Sequence, residues 1–222
     1  MAEGGIPEEF EVGRPVLVCR WRLSDRSLPA ANRHLRALSR RTVNGKPVSK
    51  QLLGWAKQHI EWTLAEGTQA HPNGVLMLVI DARGRAAMTA GDYCPLPDTS
   101  LAALVERARH AALEASETDV APETLWIVRG GSLACGMGPA ERPSGAASLV
   151  IDLAETLGMP VERRAELAEE VADGSIPFDE AFLVSDEHGV VVASDAAGPR
   201  SRRFADGWQR LLENASRRGG AR

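Results

Sequence analysis

Short apolar runs alternate with amphipathic helical stripes along the chain, and this alternation restricts the fold to a mixture of helices and sheets. Residues 74–81 (GVLMLVID) form a continuous apolar run with the length and composition of a buried strand. Residues 49–67 instead place apolar side chains at helical spacing, with Ser49 suited to cap the helix and Gly67 to end it. We therefore predict an α+β chain. Further strands are predicted at 15–22, 85–89, 124–128, 132–135, 159–163, 181–184 and 190–193, and further helices at 28–41, from 98 or 100 to 116, and at 144–158, 165–172 and 201–215.

The same pattern divides the chain into two folded parts. A length of 222 residues is enough for one large domain or two small ones. We predict a flexible acidic lead at 1–13, an N-terminal α+β subdomain at 14–94, a connecting helix and loop at 95–122, a C-terminal α/β subdomain at 123–216 and a frayed tail at 217–222.

Charge and cysteine content exclude several classes of protein. A net charge of −4 leaves no basic footprint for nucleic acid, and no apolar run is long enough to span a membrane. The acidic N-terminus lacks the apolar core of a signal peptide. The 3 cysteines contain no CxxC pair, so free thiols in a reducing compartment are expected. We expect a cytoplasmic protein that binds neither nucleic acid nor a membrane.

Motifs in the second half of the chain occur in a recognisable order. They are a hairpin with a Gly-Gly turn at 125–133, a loop Pro-Ser-Gly-Ala-Ala at 143–147, the segment IDLAETLGMPV at 151–161, and DEAFLVS at 179–185. Together they resemble the hairpin, phosphate loop, helix and strand motifs of class IV pyridoxal 5′-phosphate (PLP) dependent aminotransferases, the branched-chain and D-amino-acid type, and of aminodeoxychorismate lyases. The resemblance covers residues from about 124 to 212.

The resemblance implies a shortened, two-subdomain version of PLP fold type IV, a homodimer, and a PLP-sized pocket where the subdomains meet. It implies that Gly145, Ala146 and Ala147, at a helix N-terminus, would bind the cofactor phosphate or another small anion, because unpaired N–H groups favour negative charge there. Ser185 would be a second contact to the same anion.

A further cofactor contact is implied by residues 34–38 (HLRAL), which are similar to the family's HLxRL helix, whose arginine grips the phosphate. Arg36 is the candidate here, but it stands one position before the family's arginine, and Ala37 occupies that place. One residue is about 100° around a helix, so Arg36 is expected to point elsewhere unless the helix is rotated.

Other positions depart from the family pattern. Thr99 falls where the family has the lysine that forms the Schiff base with PLP, and no lysine follows Lys57. Ala147 replaces a threonine of the phosphate loop. Glu123 is the nearest substitute for the acidic residue that pairs with the pyridine nitrogen. Asp186 replaces a threonine after Ser185, and its carboxylate would repel a phosphate.

These departures favour a divergent class IV aminotransferase-like protein without transaminase activity and without a catalytic residue, which retains at most the binding of a small anion. The alternative is an active PLP-dependent transaminase or aminodeoxychorismate lyase-like enzyme with a displaced lysine, namely Lys46, Lys50 or Lys57. A partner subunit supplying the missing groups also stays open.

A third hypothesis is a non-catalytic interaction or dimerisation protein. Trp55, His59 and Trp62 form one helical stripe, which indicates either a partner face or ordinary packing. Cys135 lies in a Gly-rich stretch and is either a nucleophile or part of an ordinary loop, with no companion base evident. The histidines show no metal-ligand spacing, so no metal site is predicted.

Overall fold

The computed structural model describes residues 12–118 and 123–219 and confirms the predicted mixture of helices and sheets. The predicted lead at 1–13 falls largely outside the described residues. The first half contains β1 (Pro15–Arg22), α1 (Ala31–Leu38), β2 (Thr42–Val43), β3 (Lys46–Pro47), α2 (Lys50–Trp62) with a π-helical turn at Thr63–Gly67, β4 (Val75–Asp81) and β5 (Ala86–Gly91).

The N-terminal sheet is antiparallel, with the strand order β1-β4-β5. Its core contains Leu17 and Trp21 of β1 and Leu78 of β4, which pack with Ala56 and Ile60 of α2. Ser49 caps α2 as predicted, because its hydroxyl accepts the Leu52 N–H at 3.1 Å. The sequence pattern missed the short β2–β3 hairpin, whose turn residues Asn44 and Gly45 both have positive φ, at 52° and 72°.

The second half is built on a 5-stranded sheet with the order β10-β9-β6-β7-β8, antiparallel except between β7 and β8. The parallel β7 and β8 are joined through α4, which is the usual way to connect parallel neighbours. The elements are α3 (Leu101–Thr118), β6 (Thr124–Arg129), β7 (Ser132–Cys135), α4 (Gly145–Thr156), β8 (Val161–Arg163), α5 (Leu167–Ala172), β9 (Glu180–Ser185), β10 (Gly189–Val192) and α6 (Pro199–Gly219).

Helices cover both faces of this sheet, which explains the continuous apolar runs of its central strands. On β6, Trp126 and Val128 pack towards α4 and α6, whereas Leu125 and Ile127 pack towards α3 and α5. A strand that is buried on both faces needs apolar residues at every position rather than at alternate ones. Helix α6 extends past the predicted end at 215, and α1 is shorter than the predicted 28–41.

The two halves meet where α1 packs against α4 and α3 packs against β1. The backbone joins them as well, because the Arg22 N–H donates to the Asp186 carbonyl at 3.0 Å. Within residues 12–118 and 123–219, the structure contains no helix that combines the length and apolar character needed to cross a membrane. The junction therefore brings β1, α1 and α3 next to the end of β9 and the start of α4.

Candidate ligand site at the junction of the two halves

A small cavity lies between the two halves, at the place where the resemblance implies a cofactor pocket. Its volume is about 90 Å³. It is lined by residues of β1 (Arg20, Trp21), α1 (His34), α3 (Glu114) and the end of β9 (Ser185, Asp186), among others. This volume is far below the roughly 300–1,000 Å³ of ordinary small-molecule pockets.

The Asp186 carboxylate occupies the N-terminus of α4. Its oxygens accept the Ala146 N–H at 2.7 Å and the Gly145 N–H at 3.4 Å, and the side chain is buried. The next amide, of Ala147, donates to the Ser144 hydroxyl at 3.1 Å. The three amides that the family resemblance implies as phosphate contacts are therefore all bonded to acceptors of the chain itself. The negative charge expected at this helix end is the Asp186 side chain.

His34 lies over the same helix end. Its Nδ1 atom is 3.3 Å from Asp186 Oδ2, and both side chains are nearly fully buried. Burial raises the pKa of Asp186, but its electrostatic interaction with His34 and the amides of Ala146 and Gly145 outweigh it, so the net pKa is lowered. Gly145 permits this contact, because a Cβ atom there would overlap the His34 ring. Trp21 also packs against that ring, in a tilted arrangement with centroids 5.4 Å apart.

Glu123 is the centre of a second polar cluster in the cavity wall. It pairs with the Arg107 guanidinium, accepts the Ser185 hydroxyl at 2.9 Å, and lies 3.5 Å from His188 Nε2. The Ser185 oxygen also accepts the N–H groups of Glu187 and His188, both at 3.1 Å. Ser185, a predicted contact to an anion, therefore has its hydrogen-bonding capacity used within the protein.

His188 belongs to the same cluster, and its surroundings disfavour the charged form. Burial lowers the pKa of His188 and outweighs the opposing influence of Glu123 and Glu187. Its other ring nitrogen is 3.4 Å from the Tyr93 hydroxyl, and the Arg22 guanidinium stacks 3.3 Å from the centre of the Tyr93 ring. The cluster thus ties β9–β10 to the end of the first half.

The ligating atoms of Glu123, Glu187 and His188 also lie within 4.8 Å of one another, which is a possible metal-ligand set. Sequence spacing could not indicate it, because Glu123 is distant from the other two in the chain. The Arg107 guanidinium already neutralises Glu123, so the charge of the cluster does not favour a metal cation.

An ion pair crosses the cavity between the halves. Arg20 on β1 donates to both carboxylate oxygens of Glu114 on α3, at 2.7 and 3.2 Å. The hydrogen bond to Glu114 raises the pKa of Arg20, and the same bond lowers the pKa of Glu114. Neither residue can be identified from the sequence, because an ion pair between distant elements leaves no local signal.

The remaining candidates from the sequence lie elsewhere. Arg36 is exposed and lines an outer groove on the far side of α1, whereas Ala37 lines both that groove and the cavity.

Cys135 is buried in β7, and burial raises the pKa of its thiol to about 12, which makes a nucleophilic thiolate unfavourable. Trp55 stacks on His59 with centroids 3.9 Å apart, and Trp62 remains 54% exposed.

Comparisons with known proteins identify the fold. No family model matches the sequence, and no curated protein matches it. Solved structures do match. A protein from Thermotoga maritima described as a branched-chain amino acid aminotransferase superposes with a TM-score of 0.61 at 16% identity, over 90% of this chain and 86% of that one. An aminotransferase from Brucella abortus bound to PLP gives 0.55 at 12% identity, over 93% and 95%. A Legionella pneumophila protein described as a 4-amino-4-deoxychorismate lyase gives 0.55 at 11%, over 92% and 97%.

The chain has the class IV aminotransferase fold. This agrees with the resemblance of the second half and extends it to the first half, where the sequence motifs were sparse. The chain covers most of the length of these structures, so both halves of the fold are represented.

The residues of the junction do not fit PLP, although the class IV fold implies it. Lys46, Lys50 and Lys57 are the chain's lysines, and all are exposed on the first half, outside the cavity lining. Thr99, at the predicted place of the lysine, precedes α3 and accepts the Ser194 N–H through its carbonyl at 2.9 Å. No amine faces the cavity among the described residues, and the Asp186 carboxylate takes the amides that a phosphate would need.

Proposed function

We propose that this chain is a non-catalytic protein with the class IV aminotransferase fold, which binds a small anion and does not catalyse transamination. The observation that carries the proposal is the Asp186 carboxylate at the amides of Gly145 and Ala146. A second anion at this place would lie against an ionised, buried carboxylate, and the repulsion would be strong at low effective dielectric constant.

The positions of the lysines support the same proposal. Schiff-base chemistry needs an amine within bonding distance of the cofactor aldehyde, and the lysines lie on β3 and α2, on the outside of the first half. A displaced lysine would have to enter a cavity of about 90 Å³ whose wall contains the ion pairs Arg20–Glu114 and Arg107–Glu123.

The proposed role is the binding of a small anion by a cytoplasmic homodimer. The three cysteines Cys19, Cys94 and Cys135 form no disulfide within the described residues, which supports a reducing compartment. Light scattering coupled to size-exclusion chromatography tests the dimer, which would appear at twice the chain mass of 23.8 kDa.

The test of the missing chemistry is the incubation of purified protein with PLP, followed by visible spectroscopy, borohydride reduction and mass spectrometry of the peptides. We expect no saturable, stoichiometric adduct. The Lys57→Ala variant is the control for weak labelling of surface amines, because it should remove only its own share of such labelling. A stoichiometric adduct on Lys46, Lys50 or Lys57 that phosphate competes away would overturn the proposal.

A further inference from the structure

An arginine-rich groove lies on the outer side of α1, separate from the junction cavity. It has a volume of about 580 Å³, within the range of roughly 300–1,000 Å³ that small-molecule sites occupy. Helix α1 and the loop at 139–144 form its walls, and Ser148 and Ile151 of α4 contribute to its floor. The arginines Arg33, Arg36, Arg40, Arg142 and Arg163 line it, against the carboxylates of Glu141 and Asp152.

Two of these arginines, Arg33 and Arg163, form contacts that hold the walls of the groove together. Arg33 pairs with Asp152 at 2.7 Å and lies 3.3 Å from the Ser148 hydroxyl, which fixes α1 to α4. Arg163 donates to the backbone carbonyl of Glu141 at 2.8 Å, which holds the loop against β8. The Glu141 carboxylate accepts the Gly138 N–H at 2.8 Å, so it is turned back towards its own loop.

The rest of the charge has no partner in the part of the chain that the structure describes. Arg36, Arg40 and Arg142 form no ion pair or side-chain hydrogen bond with residues 12–118 or 123–219. This concentration of positive charge contrasts with the net charge of −4 of the whole chain. A cluster of arginines on one concave surface gives that surface a positive potential, which attracts anions although the whole protein is acidic.

We propose that this groove binds a phosphorylated small molecule with at least two phosphoryl groups. Guanidinium groups form paired hydrogen bonds to phosphate oxygens, and arginines on two walls suit two adjacent phosphoryl groups better than a single carboxylate. Ile151 provides an apolar surface for the remainder of the ligand. The inference names the ligand class of the proposed binding role, and in that respect it rests on the proposed function. It places the anion outside the amides of α4, which Asp186 occupies.

The probe for the experiment is inorganic pyrophosphate, titrated by isothermal calorimetry at constant ionic strength, with inorganic phosphate as the weaker comparison. The double variant Arg36→Ala/Arg40→Ala removes unpaired arginines from the groove. The matched control is Arg202→Ala/Arg210→Ala, which removes two exposed arginines from α6. All three proteins are compared by circular dichroism to show that they are folded.

We expect saturable binding of pyrophosphate to the wild type, tighter than phosphate, and a loss of affinity of at least about tenfold in the groove variant. The α6 control should bind as the wild type does. An absence of heat with the wild type, or equal losses in the two double variants, would overturn the inference. Either result is distinguishable from a failure of the proposed function, because that failure appears as a PLP adduct on a lysine and not as a change in pyrophosphate binding.

Discussion

The Asp186 carboxylate lies 3.3 Å from the His34 ring nitrogen, and this buried pair joins the end of β9 to α1 across the N-terminus of α4. The amides of α4 and the charge of His34 keep the pKa of Asp186 lowered in spite of burial. The carboxylate of Asp186 therefore takes the place of a bound phosphate and supplies the negative charge at this helix end.

Replacement of Asp186 should destabilise the protein and create a site for phosphate. We expect Asp186→Ala to lower the free energy of unfolding by about 2–4 kcal/mol, because the α4 amides and His34 lose a charged partner. Inorganic phosphate should then raise the melting temperature of the variant more than that of the wild type, since it binds the freed amides.

The control for this prediction is Asp98→Ala, which removes an exposed carboxylate that accepts the Ser100 N–H. A smaller loss of stability than in Asp186→Ala and no specific response to phosphate are expected there. Equal phosphate responses in the two variants would contradict the account of the Asp186 site.

A methyl group at Gly145 should be costly, because the Cβ atom would meet the His34 ring. We expect Gly145→Ala to lower the unfolding free energy by about 1–3 kcal/mol, measured by urea denaturation. The matched variant Gly54→Ala on α2 has open space around the new atom and should be stabilising by about 0.5–1 kcal/mol. Stabilisation of both variants would contradict the close contact between His34 of α1 and Gly145 of α4.

Loss of the Glu123 charge should weaken the polar cluster around Glu123 and lower the free energy of unfolding. Glu123→Gln leaves Arg107 without its carboxylate partner, and we expect a loss of about 1–3 kcal/mol in thermal or urea denaturation. The exposed pair of Glu106 and Arg109 on α3 provides the comparison. Glu106→Gln should change stability by at most about 0.5 kcal/mol, so similar effects of the two variants would argue against a central role for Glu123.

Stability should fall as the medium becomes mildly acidic, and His188 should account for part of that fall. Its pKa is lowered from the ordinary value of 6.5 in the folded protein. Between the folded and unfolded pKa values the unfolded chain binds more protons, so the unfolding free energy decreases as the pH drops through this window. We expect His188→Gln to flatten the dependence measured by urea denaturation from about pH 7.5 to 5.5. An unchanged slope would show that His188 does not contribute.

Thiol reactivity should separate the cysteines by burial. Cys94 is exposed, whereas Cys19 and Cys135 are buried, and the pKa of Cys135 is raised to about 12 by burial. In the native protein we expect one fast reaction with a disulfide reagent, and Cys94→Ser should abolish it. A fast second thiol in that variant would indicate that the β7 core opens more readily than the packing implies.

The strands of the second half could be predicted from the sequence because their environment is uniform along their length. Trp126, Ile127 and Val128 are all buried, since helices cover both faces of the sheet, and this makes the run apolar throughout. The turns were predictable for a local reason as well. Gly130 and Gly131 adopt positive φ at 53° and 97°, which glycine alone accepts at little cost.

The pairing of side chains at the junction could not be predicted from the sequence in the same way. Asp186 was expected from the sequence to repel a phosphate at this place, and the tertiary structure shows its carboxylate bonded to the amides itself. The sequence contains no signal for the partner His34, because their contact depends on how α1 packs on α4. The pairing of Arg20 with Glu114 and of Arg107 with Glu123 depends in the same way on packing between distant elements.

The sequence by itself determined the class of fold, the capped helices and the scarcity of amines, because each follows from local patterning or from composition. Only the tertiary structure decided which side chains fill the junction and which arginines remain unpaired in the described residues of the outer groove. The physical reason is that apolar periodicity and caps act within a few residues, whereas ion pairs and hydrogen bonds between buried groups form wherever the packed elements bring charges together.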